Sequence, residues 1–517
     1  MRRKLAQLPN WIWLSLLYCV THVPFLTLLP VFADEAIYIR WAQLIIDDAS
    51  RYAFFSLADG KPPLFIWILS LTLRLFSDPL WIARLTSVAI GLATVFAVGK
   101  LATILSGRKS VVLFSQLFTI FLPFWWFYHR MALMDGLLTL CITLAIYFSL
   151  KIARACQRER KIAYDTIPDI LLLAVSFGGA LLTKTPAMFA VPVIASTSFF
   201  ALIRVQKNTK STIQKLYESV LFIGIGGLLG GVLFLLLRIS PFFGALFSRS
   251  SEYRFTIQEL LGGEWKYVLF SSLPREIVWT SAYLTVGAIL LSLFGLYERR
   301  TRKTVAFLLG SAFIFAIPLI AFGRVLYPRY FLPIAPFVTI AAAIGLESLL
   351  SKAKGKFIGW FLLLFCGIQS MLFIIPGVSD VGKIPFVAID RTQYIEEWSA
   401  GFGNREVYDF IVKRHGELRG EKRIIVLTEG SFGTLPDGLF MYFYGPQALE
   451  GVEIHGIGVA PNTLPQKYLE QQQTAELYYA VNSHRFALIE TQNLEKILEI
   501  PRPGNAPSLV LYRVRSL

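Results

Sequence analysis

The chain has 517 residues, of which 55% are hydrophobic and only 16% charged. A soluble protein of this size has charged residues nearer about a quarter of the chain, so that class is excluded. The formal net charge of +16 does not point to nucleic acid either, because the cations are scattered over short loops between apolar runs and form no single patch.

Repeated apolar runs of about 20 residues define a polytopic α-helical membrane protein. The first, inside "MRRKLAQLPNWIWLSLLYCV", lacks a small-residue cleavage site and reads as an uncleaved helix. Further apolar segments lie near 63–76, 81–105, 110–127, 131–151, 167–184, 186–203, 216–238, 277–297, 304–322, 330–350 and 357–376. The connectors "MRRK", "SGRKS", "KIARACQRERK", "RVQKNTKSTIQK", "ERRTRK" and "SKAKGK" are basic and belong on the cytoplasmic side. Only an odd number of crossings joins "MRRK" to "SGRKS" through the outer loop after the first helix. The 63–76 segment, led by Pro62 and Pro63 and containing Arg74, is too short to span and reads as re-entrant or interfacial. Omitting it leaves about eleven transmembrane helices and puts every basic connector inside. The main outer segments are then 31–80, 128–135, 239–276 and everything after about 377.

Residues 377–517 differ in character from 1–376. They mix charge with period-2 runs such as "KRIIVLTE" and "PSLVLYRVRSL" and with helical stretches such as "NREVYDFIVKRH" and "PQKYLEQQQTAELYYAVNSH". This is expected to be an extracytoplasmic α/β domain following a transmembrane domain. The four cysteines, Cys19, Cys141, Cys156 and Cys366, have no metal-ligand spacing and imply no disulfide framework.

Polar residues gather at the outer helix ends. "ADEAIYIRWAQ" sets Asp34 and Glu35 before apolar positions of helical spacing, as in an interfacial amphipathic helix. The blander reading makes Asp34 the helix N-cap. In "DGKPPLFIW", Lys61 is placed to meet a lipid phosphate, against ordinary snorkelling to the interface. "HRMALMD" carries Arg130 and Asp135, which could equally be a local ion pair or helix-terminal charges. "LTKTP" carries Lys184 at an outer end. "LYPRYFLPIAPF" carries Arg329 and Tyr330, alternatively an aromatic-belt tyrosine with an anchoring cation.

Each signal is weak alone, but their order on this topology is specific. An acidic pair in the first outer loop, then "KPPL", "RLTSVAIGL", the run ending at Asp135, "LTKTP" and "RYFLPIAPF" together resemble the membrane-embedded C-type (GT-C) glycosyltransferases. Within these, the chain is similar to the branch of protein O-mannosyltransferases and lipid A aminoarabinose transferases, over about residues 10–350. The resemblance implies an inverting transfer of a sugar from a polyprenyl-phosphate donor to an extracytoplasmic acceptor, with no nucleic acid involved. It implies Asp34 as general base, Asp135 as a second acidic site, and Lys61, with Arg329 and Tyr330, on the donor phosphate. Glu35, Arg130 and Lys184 are further candidates. It also implies location in the inner or plasma membrane, with the site outside the cytoplasm. In the aminoarabinose branch an acid tends to precede the lysine, whereas here Gly60 does, which speaks against the same sugar. The tryptophan- and aspartate-rich signature of oligosaccharyltransferases is missing. No His or Cys cluster suggests zinc, while two outer aspartates could hold a divalent cation with phosphate oxygens.

A transporter or flippase of lipid-linked sugars is the competing reading. Transporters tend to carry internal repeats and charge near the midplane. This chain shows no repeat, and its acids lie at outer ends. A plain membrane anchor for the outer domain leaves the polar set unexplained.

Overall fold

A computed structural model describes residues 9–157, 162–202, 209–489, 491 and 493–515. The basic stretch "MRRK", residues 158–161 of "KIARACQRERK" and residues 204–208 of "RVQKNTKSTIQK" lie outside the described residues.

Among the described residues, eight helices are long and apolar enough to cross a membrane: Pro79–Ser106, Met134–Gln157, Thr166–Thr183, Thr185–Leu202, Thr212–Ile239, Arg302–Phe322, Pro328–Leu350 and Ala353–Ser379. A ninth arises if Ile257–Leu284 and Val286–Tyr297, bent by 99° at their junction, form one broken span. The two remaining segments of the expected eleven are the helices Asn10–His22 and Lys109–Phe121, 13 residues each. Such a helix rises about 20 Å, against about 30 Å of hydrocarbon. Chain-breaking prolines follow both, Pro24 after the first and Pro123 after the second. The proline-led 63–76 segment forms a helix of nine residues, Leu64–Thr72, too short to cross.

The chain divides into two compact units. The first comprises Met1–Pro24, Ala53–Phe65 and Ser87–Ile375 and holds most of the apolar helices. Small residues let its helices approach closely. Gly345 packs against the Leu291 carbonyl of the neighbouring helix, where a β-carbon would collide with it. Side-chain hydrogen bonds also cross between helices: Trp125 Nε1 donates to Thr339 Oγ1 (3.0 Å), and Ser219 Oγ donates to Ser198 Oγ (2.8 Å).

The second unit comprises Phe25–Tyr52, Ile66–Thr86 and Pro376–Leu517. Its centre is a five-stranded sheet of order β2-β1-β3-β5-β4, with β1 Arg423–Thr428, β2 Val452–Gly456, β3 Ala475–Asn482, β4 Leu494–Ile500 and β5 Leu509–Val514. The β2-β1-β3 half is parallel, and β5 and β4 add antiparallel. One face packs Ile424, Val426, Tyr478 and Leu511 against the helix Asn404–Leu418, and the other buries Ile425, Leu427, Tyr479 and Val481. β1, β5 and the Asn404–Leu418 helix follow the sequence expectation. The stretch "PQKYLEQQQTAELYYAVNSH" does not. Only Gln466–Leu469 is α-helical, and Ala475–Asn482 is the central strand. All eight residues of that strand are buried, so it lacks the alternation of a half-exposed strand, and its Glu, Leu and Ala mimic a helix.

Candidate active site

Asp34 and Glu35 belong to the second unit, in the first turn of the helix Ala33–Asp47. The residue capping that helix is Glu35, three positions into it, and not Asp34. The Phe32 N–H donates to Glu35 Oε2 (3.0 Å). Glu35 also takes a two-pronged ion pair from Arg84, Nε to Oε1 at 2.9 Å and Nη2 to Oε2 at 2.6 Å. The other Arg84 donors go to the carbonyls of Leu26 (2.6 Å), Leu29 (2.6 Å) and Pro30 (3.0 Å). All five guanidinium N–H groups are thus used. Glu35 is fully buried, while Asp34 beside it is only half-buried. The pair therefore divides its labour: Glu35 fixes the loop and the helix start, and Asp34 lies half-buried in the first turn of the helix.

The strand-like segment before Asp34 is held from the tail of the same unit. Phe32 forms an antiparallel bridge with Ala400. Ala33 N–H donates to Ser399 O (3.0 Å), and Gly401 N–H donates to Val31 O (2.8 Å). Ala400 is held in turn by Arg502, whose Nη2 donates to its carbonyl (3.0 Å) and to Asn482 Oδ1 (2.5 Å). Asn482 closes the chain by donating to Glu429 at the end of β1. Burial pushes the Glu429 carboxyl up and brings Arg502 down to about 10. Further along the helix, Gln43 Nε2 donates to Met441 O (2.9 Å), and the Tyr444 hydroxyl donates to Asp47 (2.6 Å).

The other candidates belong to the first unit. Lys61 follows Gly60, whose left-handed backbone (φ +72°) and close approach to Arg249 exclude a side chain; a β-carbon would lie 2.8 Å from Arg249 Cβ. One residue before Gly60, Asp59 Oδ2 lies 3.0 Å from Lys61 Nζ. This pair is partly exposed and weakly bound.

Asp135, Lys184, Arg329 and Tyr330 come together. Asp135 sits in the first turn of Met134–Gln157, nearly inaccessible, and accepts from Lys184 Nζ at 2.7 Å. Lys184 interrupts the paired spans Thr166–Thr183 and Thr185–Leu202, and its ammonium lies 4.1 Å from the centre of the Tyr330 ring. The Arg329 guanidinium covers Tyr327 (4.9 Å) and Tyr330 (5.6 Å). With a lysine already on it, Asp135 is a poor ligand for the divalent cation the sequence allowed. Arg130 donates to the carbonyls of His22 (2.7 Å) and Pro24 (2.9 Å) and lies over Trp126 (4.5 Å), so it ties down the end of the first helix.

Sequence reasoning did not single out Arg84, Tyr327 or the tail network. Arg84 carried a signal: a cation within the apolar run of a 28-residue helix must find a partner.

The helix set and the small mixed sheet have the fold of the C-type membrane glycosyltransferases. The chain is similar to ArnT from Cupriavidus metallidurans in the apo state, with 14% identity, a TM-score of 0.57 and 97% of each chain covered. Against the same protein bound to undecaprenyl phosphate, identity is 16% and the TM-score 0.56, over 97% of this chain and 96% of that one. The Archaeoglobus fulgidus oligosaccharyltransferase tethered with an acceptor peptide is similar at 10% identity and a TM-score of 0.50, over 92% of this chain and 68% of that one. Residues 60–226 match the model of the dolichyl-phosphate-mannose-protein mannosyltransferase family. No curated protein matches the chain.

Proposed function

We propose that this membrane protein is a glycosyltransferase that moves a sugar, with inversion, from a polyprenyl-phosphate donor to an acceptor outside the cytoplasm. The reading rests chiefly on Asp34: a half-buried carboxylate at a helix start that Glu35, Arg84 and the Ser399–Gly401 segment hold in place. A catalytic base needs that combination of fixed position and access. The fold shared with ArnT bound to undecaprenyl phosphate supports the donor class.

In this mechanism Asp34 takes the proton of the acceptor hydroxyl as its oxygen bonds to the anomeric carbon. The bond from that carbon to the phosphate oxygen breaks, and polyprenyl phosphate leaves with the electron pair. Lys61 meets the growing phosphate charge, exchanging its weak contact with Asp59 for a full counter-charge. Arg329 and Tyr330 serve as further donor-phosphate residues, and the Asp135–Lys184 pair orders the Tyr330 ring. The topology proposed with this reading puts the N-terminus inside and the 377–517 domain outside, in the inner or plasma membrane. The test is transfer by purified protein in detergent, offered a panel of polyprenyl-phosphate sugars, with release of polyprenyl phosphate as the signal. Activity with none of the donors, in a protein that binds polyprenyl phosphate, would overturn the reading.

A further inference from the structure

The helix Leu273–Leu284 has a sharply two-sided surface. Ile277 and Val278 are exposed, 62% and 59%, as residues facing lipid are. The opposite side buries Ser272, Glu276, Trp279 and Tyr283, at positions i, i+4, i+7 and i+11. Tyr283 is absorbed into packing, stacked on Phe124 (5.6 Å) and edge-on to Phe373 (5.8 Å). Glu276 is not absorbed. It is 3% exposed, and among the described residues neither carboxylate oxygen has a hydrogen-bond partner; the Ser272 hydroxyl, one turn away on the same side, also has none there.

Three orphaned polar atoms on one buried side of a membrane helix are a costly arrangement. An unpartnered buried polar group forfeits its hydration with nothing in return, and the loss is greater when it is charged. Arg275 acts on Glu276 through its charge and makes no hydrogen bond to it: the guanidinium lies over the Trp279 ring (5.1 Å), and among the described residues Nε has no partner. Two further observations suggest use and not accident. Ser272 closes a π-turn, the second of two in the run from Leu260, and such turns are frequent at functional sites. The helix also packs against Pro328–Ile334, the segment that carries Arg329 and Tyr330.

We propose that Ser272 and Glu276 form a polar subsite that hydrogen-bonds hydroxyl groups on the sugar of the lipid-linked donor. This rests on the donor class assigned above. Glu276 hydrogen-bonds one or two sugar hydroxyls, and Ser272 donates to or accepts from a neighbouring one. The requirement for a hydroxyl follows from the chemistry: a buried glutamic acid side chain accepts a hydrogen bond and, when neutral, also donates one, and a sugar hydroxyl meets both needs. A donor lacking the matching hydroxyl leaves the carboxylate bare and is rejected.

The test is binding to the full-length protein in detergent. Affinities are measured for bare undecaprenyl phosphate, for undecaprenyl-phosphate hexoses, and for their singly deoxygenated analogues. The wild type is expected to bind one glycosylated lipid more tightly than the bare lipid, and to lose about 10–100-fold on removal of one particular hydroxyl. Glu276→Gln and Ser272→Ala should abolish that discrimination while bare undecaprenyl phosphate binds as before. Equal binding of all glycosylated and bare lipids by the wild type would overturn the subsite and leave the phosphate reading standing. So would variants that keep the full discrimination, or that lose bare lipid and sugar lipid alike. Failure to bind any of these lipids would overturn both.

Discussion

Arg84 grips Glu35 with two parallel hydrogen bonds, 2.9 and 2.6 Å long, and neither side chain is more than 1% exposed. The same carboxylate caps the helix that carries Asp34. A single buried ion pair thus joins the start of one helix, the carbonyls of Leu26, Leu29 and Pro30, and the apolar helix Pro79–Ser106. Removing one partner leaves the other charged and buried, at a cost of about 3–5 kcal/mol. Arg84→Met and Glu35→Gln should each lower the unfolding temperature in detergent markedly. Arg84→Lys should recover only part of the loss, because an ammonium cannot reproduce the fork. Wild-type stability in all three would show that the pair does not hold the loop.

Asp135 and Lys184 form a second, partly buried pair, and the Tyr330 ring lies against the lysine. Asp135→Asn and Lys184→Met should each destabilise, and the double substitution should cost less than their sum. The expected coupling is about 1.5–3 kcal/mol, that of a hydrogen bond to a charged group. Additive effects in unfolding measurements would mean that the two residues act separately.

The sheet of the second unit should respond to pH in two opposed ways. Glu476 accepts from Arg414 (2.6 and 2.8 Å), Tyr478 (2.7 Å) and Arg513 (2.6 Å). The Arg414 hydrogen bonds above all lower its pKa from 4.5 to about 2. Its stabilising effect is complete above 4.5 and is lost as pH falls toward 2. Asp437 is the reverse case. Burial raises it from 3.8 to about 6, so its contribution is complete below 3.8 and is lost as pH rises through 6. In the full chain, hydrogen exchange of the β1 and β3 amides should show Glu476→Gln weakening protection at pH 7 and much less near pH 2. Asp437→Asn should strengthen protection at pH 7 and change little below pH 4. Identical pH profiles for wild type and both variants would contradict these assignments.

The tail network makes a prediction about activity at a distance. Arg502 touches Ala400, which pairs with Phe32 two residues before Asp34. Arg502→Ala should therefore lower turnover by about tenfold with little change in donor affinity, through looser placement of Asp34, the proposed base. A loss confined to donor affinity would assign Arg502 to a different task.

Much of this was legible in the sequence because membrane helices and outer-end charges leave strong patterns. Long apolar runs gave the helices, and the proline-led 63–76 segment read correctly as too short to span. Asp135, Lys184, Arg329 and Tyr330 were each marked by a charge or aromatic at a helix end, although nothing in one dimension said that they meet. Three matters could not be read. The separate duties of Asp34 and Glu35 depend on Arg84, 49 residues downstream of Glu35. That Gly60 lies against Arg249, and that Asp59 pairs with Lys61, depend on the fold and not on the local sequence. Strand β3 was hidden because burial on both faces erased its alternation.

The most direct measurement of the central claim compares sugar transfer by wild type and Asp34→Asn. Because Glu35 and not Asp34 caps the helix, this substitution should leave stability almost unchanged. Transfer should fall by about 10²–10⁴-fold, the usual range for loss of a general base, with affinity for polyprenyl phosphate retained. A stable Asp34→Asn protein that transfers sugar at near the wild-type rate would contradict the assignment of Asp34 as the base.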